Sequence, residues 1–277
     1  MLSPVEIVSL PFMQNAAAEV AILAALSGLV GTQIALRGLA FLAHGAGAAT
    51  FPGLVLAGPL GIPAPLAALV ASLGFAAGTR GGRPGADART ALALVAALGG
   101  GIVLASDVFG SGSQVDQLLF GSLLAIDGPE LITSAVALTL CAAIAALMRR
   151  RWVLGGFDPM TARQLSTHPR SADAALVVAV SIAVVAAVDA VGALLVSAIL
   201  VVPALTALPF GRSIRGLAVA TTALALAEGL GGLLLAFYLD APPGGTIAVL
   251  SGVVFALAAL LRAIVPGSTR PAAGIAR

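Results

Sequence analysis

Residues 174–207 read AALVVAVSIAVVAAVDAVGALLVSAILVVPALTA, an apolar run in which the one carboxylate, Asp189, is followed closely by Gly192. Arg170 precedes the run and Arg212 follows it. Basic residues collect on the cytoplasmic side of membrane spans, and these two arginines fall on one side only if the run crosses twice. The break then lies around Asp189 to Gly192. Irregular backbone at membrane depth is tolerated only against protein or a water-filled cavity, so the stretch predicts two short helices meeting inside a helical bundle.

The rest of the chain supports that reading. Its 277 residues are 60% hydrophobic and 9% charged, with a mean hydropathy of +1.10. Soluble domains carry about 25% charged residues, so an ordinary soluble domain is excluded. A helix needs about 20 apolar residues to cross a hydrocarbon core roughly 30 Å thick. Candidate runs lie at 14–36, 38–58, 62–79, 90–107, 129–148, 174–189, 190–207, 216–237 and 245–264. The expected fold is all-α, a polytopic membrane bundle of about nine transmembrane helices, with eight as the alternative and several short or broken. The domain occupies 1–265, and 266–277 reads as a short disordered cytoplasmic tail.

All 14 basic residues are arginines. They cluster in alternate connections: Arg37; Arg80, Arg83 and Arg89; Arg149 to Arg151 with Arg163 and Arg170; Arg212 and Arg215; Arg262, Arg270 and Arg277. The other connections hold Glu6, Asp107, Asp116, Asp127, Glu130 and Asp240 with no basic residue. This asymmetry predicts an outside N-terminus and a cytoplasmic C-terminus. The segment before Arg37 has no basic n-region, so the first run is expected to remain as a helix. The sequence pI near 9.5 reflects scattered topological arginines rather than a nucleic-acid surface. The single cysteine, Cys141, lies in an apolar run and supplies neither a disulfide framework nor a metal site. Gly74 and Gly78 form a G-x-x-x-G, to which no function is attached.

Without lysine the chain has no phosphate-binding G-x-x-x-x-G-K-[ST] loop, and its two histidines are not spaced for a closed zinc site. No catalysis is expected, and ATP, if used, is handled by another chain. Ionisable groups within a bilayer are costly and tend to face a pore or a partner. Four are expected at membrane depth: Glu19, His44, Asp189 and Glu228. A neutral imidazole at His44 suits transient zinc or manganese ligation, or else a hydrogen bond to a backbone carbonyl. Asp189, at the expected break, suits a divalent cation, or else ends a short helix in solvent. Glu19 and Glu228 suit interhelical hydrogen bonds.

Six segments in order resemble one family, the ABC-3 permeases of zinc and manganese importers. They are Leu10-Pro11-Phe12-Met13, Arg37-Gly38-Leu39-Ala40-Phe41-Leu42, Phe120-Gly121-Ser122-Leu123-Leu124 and Phe157-Asp158-Pro159 followed by Ala162. The last two are Val191-Gly192-Ala193-Leu194-Leu195-Val196-Ser197-Ala198 through Pro203-Ala204, and Tyr238-Leu239-Asp240-Ala241-Pro242-Pro243-Gly244. Each alone is a weak match; six in order are specific, and they span Pro11 to Leu261. The resemblance implies a permease subunit of the bacterial inner membrane. It works as a homodimer with separate ABC ATPase subunits and an external metal-binding protein, and carries a divalent metal as cargo, zinc first and manganese second. The chain itself holds no cofactor.

The resemblance also implies a coupling segment that meets the ATPase, comprising Pro203, Ala204, Gly211, Arg212 and Arg215. Phe157, Asp158 and Pro159 form a second cytoplasmic contact, with Asp158 a helix cap and Pro159 at the first helical position. The ionisable groups at membrane depth, His44, Asp189, Glu228 and Glu19, are the candidate transport pathway, with His44 at the family's pore position and His44 and Asp189 expected to meet the metal. One departure stands out. The family pattern D-A-x-x-H-A-x-x-P-G in the second helix keeps Pro52-Gly53, but its Asp and His are here His44 and Ala48. A secondary cation transporter or channel using buried carboxylates is the alternative, together with an importer of this fold for another cargo. An intramembrane hydrolase using His44 and a serine lacks any accompanying nucleophile motif.

Overall fold

A computed structural model describes residues 10–79, 86–108, 115–157 and 169–264. Among these residues every regular element is helical. We number them α1 (Pro11–Leu36), α2 (Ala40–Leu60), α3 (Ala64–Thr79), α4 (Ala86–Val103, continued by a π turn Leu104–Val108), α5 (Val115–Phe120), α6 (Gly128–Phe157), α7 (Pro169–Val191), α8 (Val196–Phe210), α9 (Ile214–Leu239) and α10 (Pro243–Ile264). Seven are long and apolar enough to cross a membrane, and α3 and α8 are shorter apolar helices. These nine correspond one to one with the runs read from the sequence; α5 is a short surface helix.

The bundle is organised around α1 and α7. α7 packs on α6, α3 and α2, while α1 packs on α9 and α6. In lipid, helices associate through close packing and interhelical hydrogen bonds rather than through hydrophobic expulsion, and small residues mark the tightest seams. Cβ atoms at Gly28 and Gly53 would meet Thr222 on α9 and Ala67 on α3. Beside Gly74 and Gly78 there is open space, so that G-x-x-x-G is not a packing motif within the chain.

Local irregularities follow from particular residues. α2 loosens at Ala49, because Pro52 has no N–H for the carbonyl of Ala48 and its ring crowds that turn. The Thr50 hydroxyl donates to the Gly47 carbonyl at 2.6 Å. α1 carries a π turn at Ser27–Gly31, where Ser27 Oγ donates to the Leu200 carbonyl at 3.0 Å. Leu200 stands just before the Val201 interruption of α8, so the bulge in one helix supplies the donor for the break in the other. α6 runs on through Arg149, Arg150 and Arg151 to Phe157, beyond the expected end at 148. Arginine is a good helix former, so a basic cluster that ends a membrane span need not end the helix.

The 190–207 run joins both ends of the bundle. Gly192 lies against Gly121, and Gly244 at the start of α10 approaches the Val191 carbonyl. Further on, Ala207 packs with Leu36 and Leu217, at the opposite ends of α1 and α9. The chain therefore turns at Gly192 and runs back through α8. At that same end Arg37 joins three helices: its guanidinium pairs with Asp173 at 3.3 Å and donates to the Trp152 carbonyl at 3.2 Å. The Trp152 indole in turn donates to the Ala172 carbonyl at 3.0 Å.

Candidate functional site

Three of the recognised motifs converge on one point. α5 ends at Gly121 (φ 72°) and α7 at Gly192 (φ 81°), and each glycine caps its own helix, Gly121 N–H donating to Gln117 O and Gly192 N–H to Val188 O, both at 2.8 Å. The two ends then cap each other. Ser122 N–H donates to Asp189 O at 3.2 Å, Ala193 N–H to Leu118 O at 3.1 Å and Leu194 N–H to Leu119 O at 3.2 Å. Free carbonyls at a helix C-terminus need such donors, and the joint is partly enclosed, with Leu119, Gly192 and Ala193 buried. A Cβ on either glycine would overlap backbone of the other, and one on Gly244 would crowd the Phe120 and Val191 carbonyls. The F-G-S, V-G-A and P-P-G segments are thus three parts of one joint.

Asp189 is on the last turn of α7 at this joint. Its side chain is exposed on the single chain, which agrees with the solvated helix end considered from sequence and leaves it open to a cation. Glu130 and Glu19 lie near enough to interact with it electrostatically. Glu130 reaches back from the first turn of α6 to accept the Asp127 N–H at 3.0 Å, half of a capping box. Glu19 is completely buried. Its Oε1 accepts from Ser134 Oγ on α6 at 2.7 Å, and its Oε2 has no partner among the described residues. Ser134→Ala removes that donor and leaves the whole carboxyl group unmatched. Stranding a buried polar group costs about 1–3 kcal/mol, and the expected outcome is a measurable fall in thermal stability in detergent, with Ser134→Thr closer to the parent.

His44 sits elsewhere. Half-buried in the first half of α2, its Nδ1 is 3.0 Å from Ser197 Oγ on α8, so its partner is a hydroxyl rather than the backbone carbonyl considered from sequence. Which atom carries the proton depends on the tautomer. Ala48, one turn on, is fully enclosed, and a Cβ on Gly47 would touch the Ala193 carbonyl and Val196. His44 and Asp189 are therefore on opposite sides of the Gly192 turn, with different neighbours. Among the described residues no three His, Cys, Asp or Glu side chains gather as a metal-binding group.

Glu228 is buried in α9 with Ser251 of α10 beside it; neither carboxylate oxygen nor the hydroxyl closes a well-formed hydrogen bond. Gly229 next to it admits Val20 of α1. Of the coupling residues, Pro203 and Ala204 are buried in α8, while Gly211 and Arg212 are exposed in the turn leading to α9 and Arg215 is exposed on its first turn. Ser213 caps α9 by accepting the Gly216 N–H at 3.0 Å. Phe157 is the last residue of α6, and Asp158 and Pro159 lie outside the described residues, as does the 266–277 tail.

Sequence reasoning missed Ser134 and Ser197, the hydroxyl partners of Glu19 and His44. A serine in an apolar helix carries no pattern that distinguishes a partner from a spacer. The joint had a signal, since glycines recur in three motifs, but nothing in a linear pattern shows that they meet.

Seven helices long and apolar enough to cross a membrane, with two shorter apolar ones, define a multi-pass membrane protein. Residues 9–262 match the ABC 3 transport family, and the chain belongs to that family. It is 26% identical to the chelated iron transport system membrane protein YfeD of Yersinia pestis, over 96% of this chain and 91% of that one. It is also 26% identical to the manganese transport system membrane protein MntC of Halalkalibacterium halodurans, over 91% and 88% respectively. The solved PsaBC complex of Streptococcus pneumoniae contains a chain of the same fold, with a TM-score of 0.82, 22% identity and coverage of 90% of this chain and 91% of that chain.

Proposed function

We propose that this chain is the membrane permease of an ATP-driven importer for a divalent transition metal, acting as a pair of copies with separate ATPases and an external binding protein. The observation that carries the reading is the family match over nearly the whole chain. The relatives described above are named for manganese and for chelated iron, which favours those cargoes over the zinc first expected from sequence. His44 is the residue we assign to the pathway, because imidazole suits manganese, iron and zinc alike. Asp189, exposed at the joint with Glu130 and Glu19 behind it, suits reception of a cation at the acidic outer end. Pro203 to Arg215 is assigned to coupling.

The test is elemental analysis of manganese, iron and zinc in cells lacking this gene and in the same cells with it restored. Restored accumulation of one of them, sensitive to vanadate, is the expected result. If no divalent metal recovers, the cargo assignment fails. Recovery that is indifferent to vanadate would remove the ATPase from the reading.

A further inference from the structure

α8 is made of two helical pieces held by different neighbours. The first, Val196–Leu200, packs on α2 and α7 and carries Ser197, the partner of His44. The second, Val202–Ala207, packs on α9 and runs on into the segment assigned to coupling, while α10 lies along both pieces. Val201 between them has φ −114° and ψ −43°, well away from the helical φ near −63°, and Pro203 has no N–H for the Ile199 carbonyl. Backbone bonds still flank the break, Val201 N–H donating to Ser197 O at 2.9 Å and Leu205 N–H to Val201 O at 3.0 Å. The two pieces are thus one connected rod with a bend in it.

The π turn of α1 touches both pieces, and its residues fit the bend. Ser27 is fully buried and its Oγ donates to the Leu200 carbonyl at 3.0 Å. A Cβ on Gly31 would overlap that same carbonyl, and one on Gly28 would overlap Thr222 of α9. Two glycines therefore let the turn lie against the α8 break on one side and α9 on the other. π turns are uncommon and concentrate where a helix kinks or serves a function. The Ser27 hydroxyl also has a second acceptor within reach of its own helix, the carbonyl one turn back, so it can release Leu200 without being stranded. Two discrete arrangements at one point are what a hinge needs. We propose that Ser27 and Gly31 are positioning residues for transport, seating the Val201 break as a hinge through which movement of the coupling segment reaches Ser197 and His44. The inference rests on the ATP-driven permease reading.

The test is the number of metal ions moved per ATP hydrolysed by the complex of this chain, its ATPases and its binding protein in liposomes, supplied in turn with manganese, iron and zinc. Ser27→Ala should lower that ratio roughly fivefold, the weight of one hydrogen bond. Pro203→Ala, which restores the missing N–H, should straighten α8 and lower the ratio while the melting temperature holds or rises. A residue that only stabilised the fold would move both together. Ser72→Ala is the control for lost stability, since it removes a buried hydroxyl pair between α3 and α7, 3.0 Å from Ser181, and should keep the parent ratio. Ser27→Ala or Pro203→Ala at the parent ratio overturns the hinge, and so does a Ser72→Ala complex whose ratio falls as far as that of Ser27→Ala. A parent complex that moves none of the three metals with ATP overturns the permease reading and the hinge together, so the two failures are told apart by the parent alone.

Discussion

Replacing Gly192 by alanine should cost the protein most of its folded population. Two penalties coincide at that position. A left-handed backbone costs a non-glycine residue about 1–2 kcal/mol, and Gly192 has φ 81°. The added methyl would also overlap the backbone of Phe120 and Gly121, and backbone cannot rotate away as a side chain can. Separating the two helix ends would break the three cross-caps from Ser122, Ala193 and Leu194, of which the bonds from buried Ala193 and to the carbonyl of buried Leu119 are the hardest for water to replace. The combined loss is expected to exceed about 3 kcal/mol, read as a large drop in monodisperse protein and in the melting temperature in detergent. Gly121→Ala should behave alike. Gly74→Ala is the contrast: it is helical, with open space where the methyl would go, and should be neutral or gain up to about 1 kcal/mol. If Gly192→Ala melts with the parent, the mutual-cap account of the joint is wrong.

That joint also shows where sequence reading stops. The existence and order of the nine apolar segments, and the turn at Gly192, were legible because bilayer thickness and arginine placement constrain them directly. The end of α6 was not, since Arg149 to Arg151 leave the membrane without leaving the helix. Nor was the pairing of Gly121 with Gly192, because a contact between helix ends has no period. For the candidate site, the charged members stood out against an apolar background, but their neutral partners, Ser134 and Ser197, did not. Asp189 had two readings in the sequence, a cation contact at the break or a solvated helix end, and apolar flanks alone could not show that it is exposed.

His44→Ala should lower metal uptake by about tenfold or more while leaving the amount of folded transporter unchanged. The imidazole is half-buried with its one recorded hydrogen bond to the Ser197 hydroxyl, so its removal strands only a hydroxyl, which costs little beside the global stability of a nine-segment bundle. Under the proposed pathway role, what is lost is a nitrogen ligand, and ligand loss acts on the ion rather than on the fold. Ser197→Ala should have a smaller effect, since it frees the ring to rotate without removing the donor atom. A hydrogen bond to the far nitrogen of a ligating imidazole fixes its tautomer and orientation, so this variant should alter apparent affinity for the metal more than the maximal rate. Ala48→His completes the argument, because it restores the histidine of the family pattern one turn beyond His44. In this chain that position is sealed, and enlarging a packed site costs about 1–3 kcal/mol. The expected result is a less stable protein with no gain in uptake. A stable Ala48→His variant with faster uptake would instead mean that the seam between α2 and α8 opens during transport, and that His44 works beside a site the closed bundle conceals.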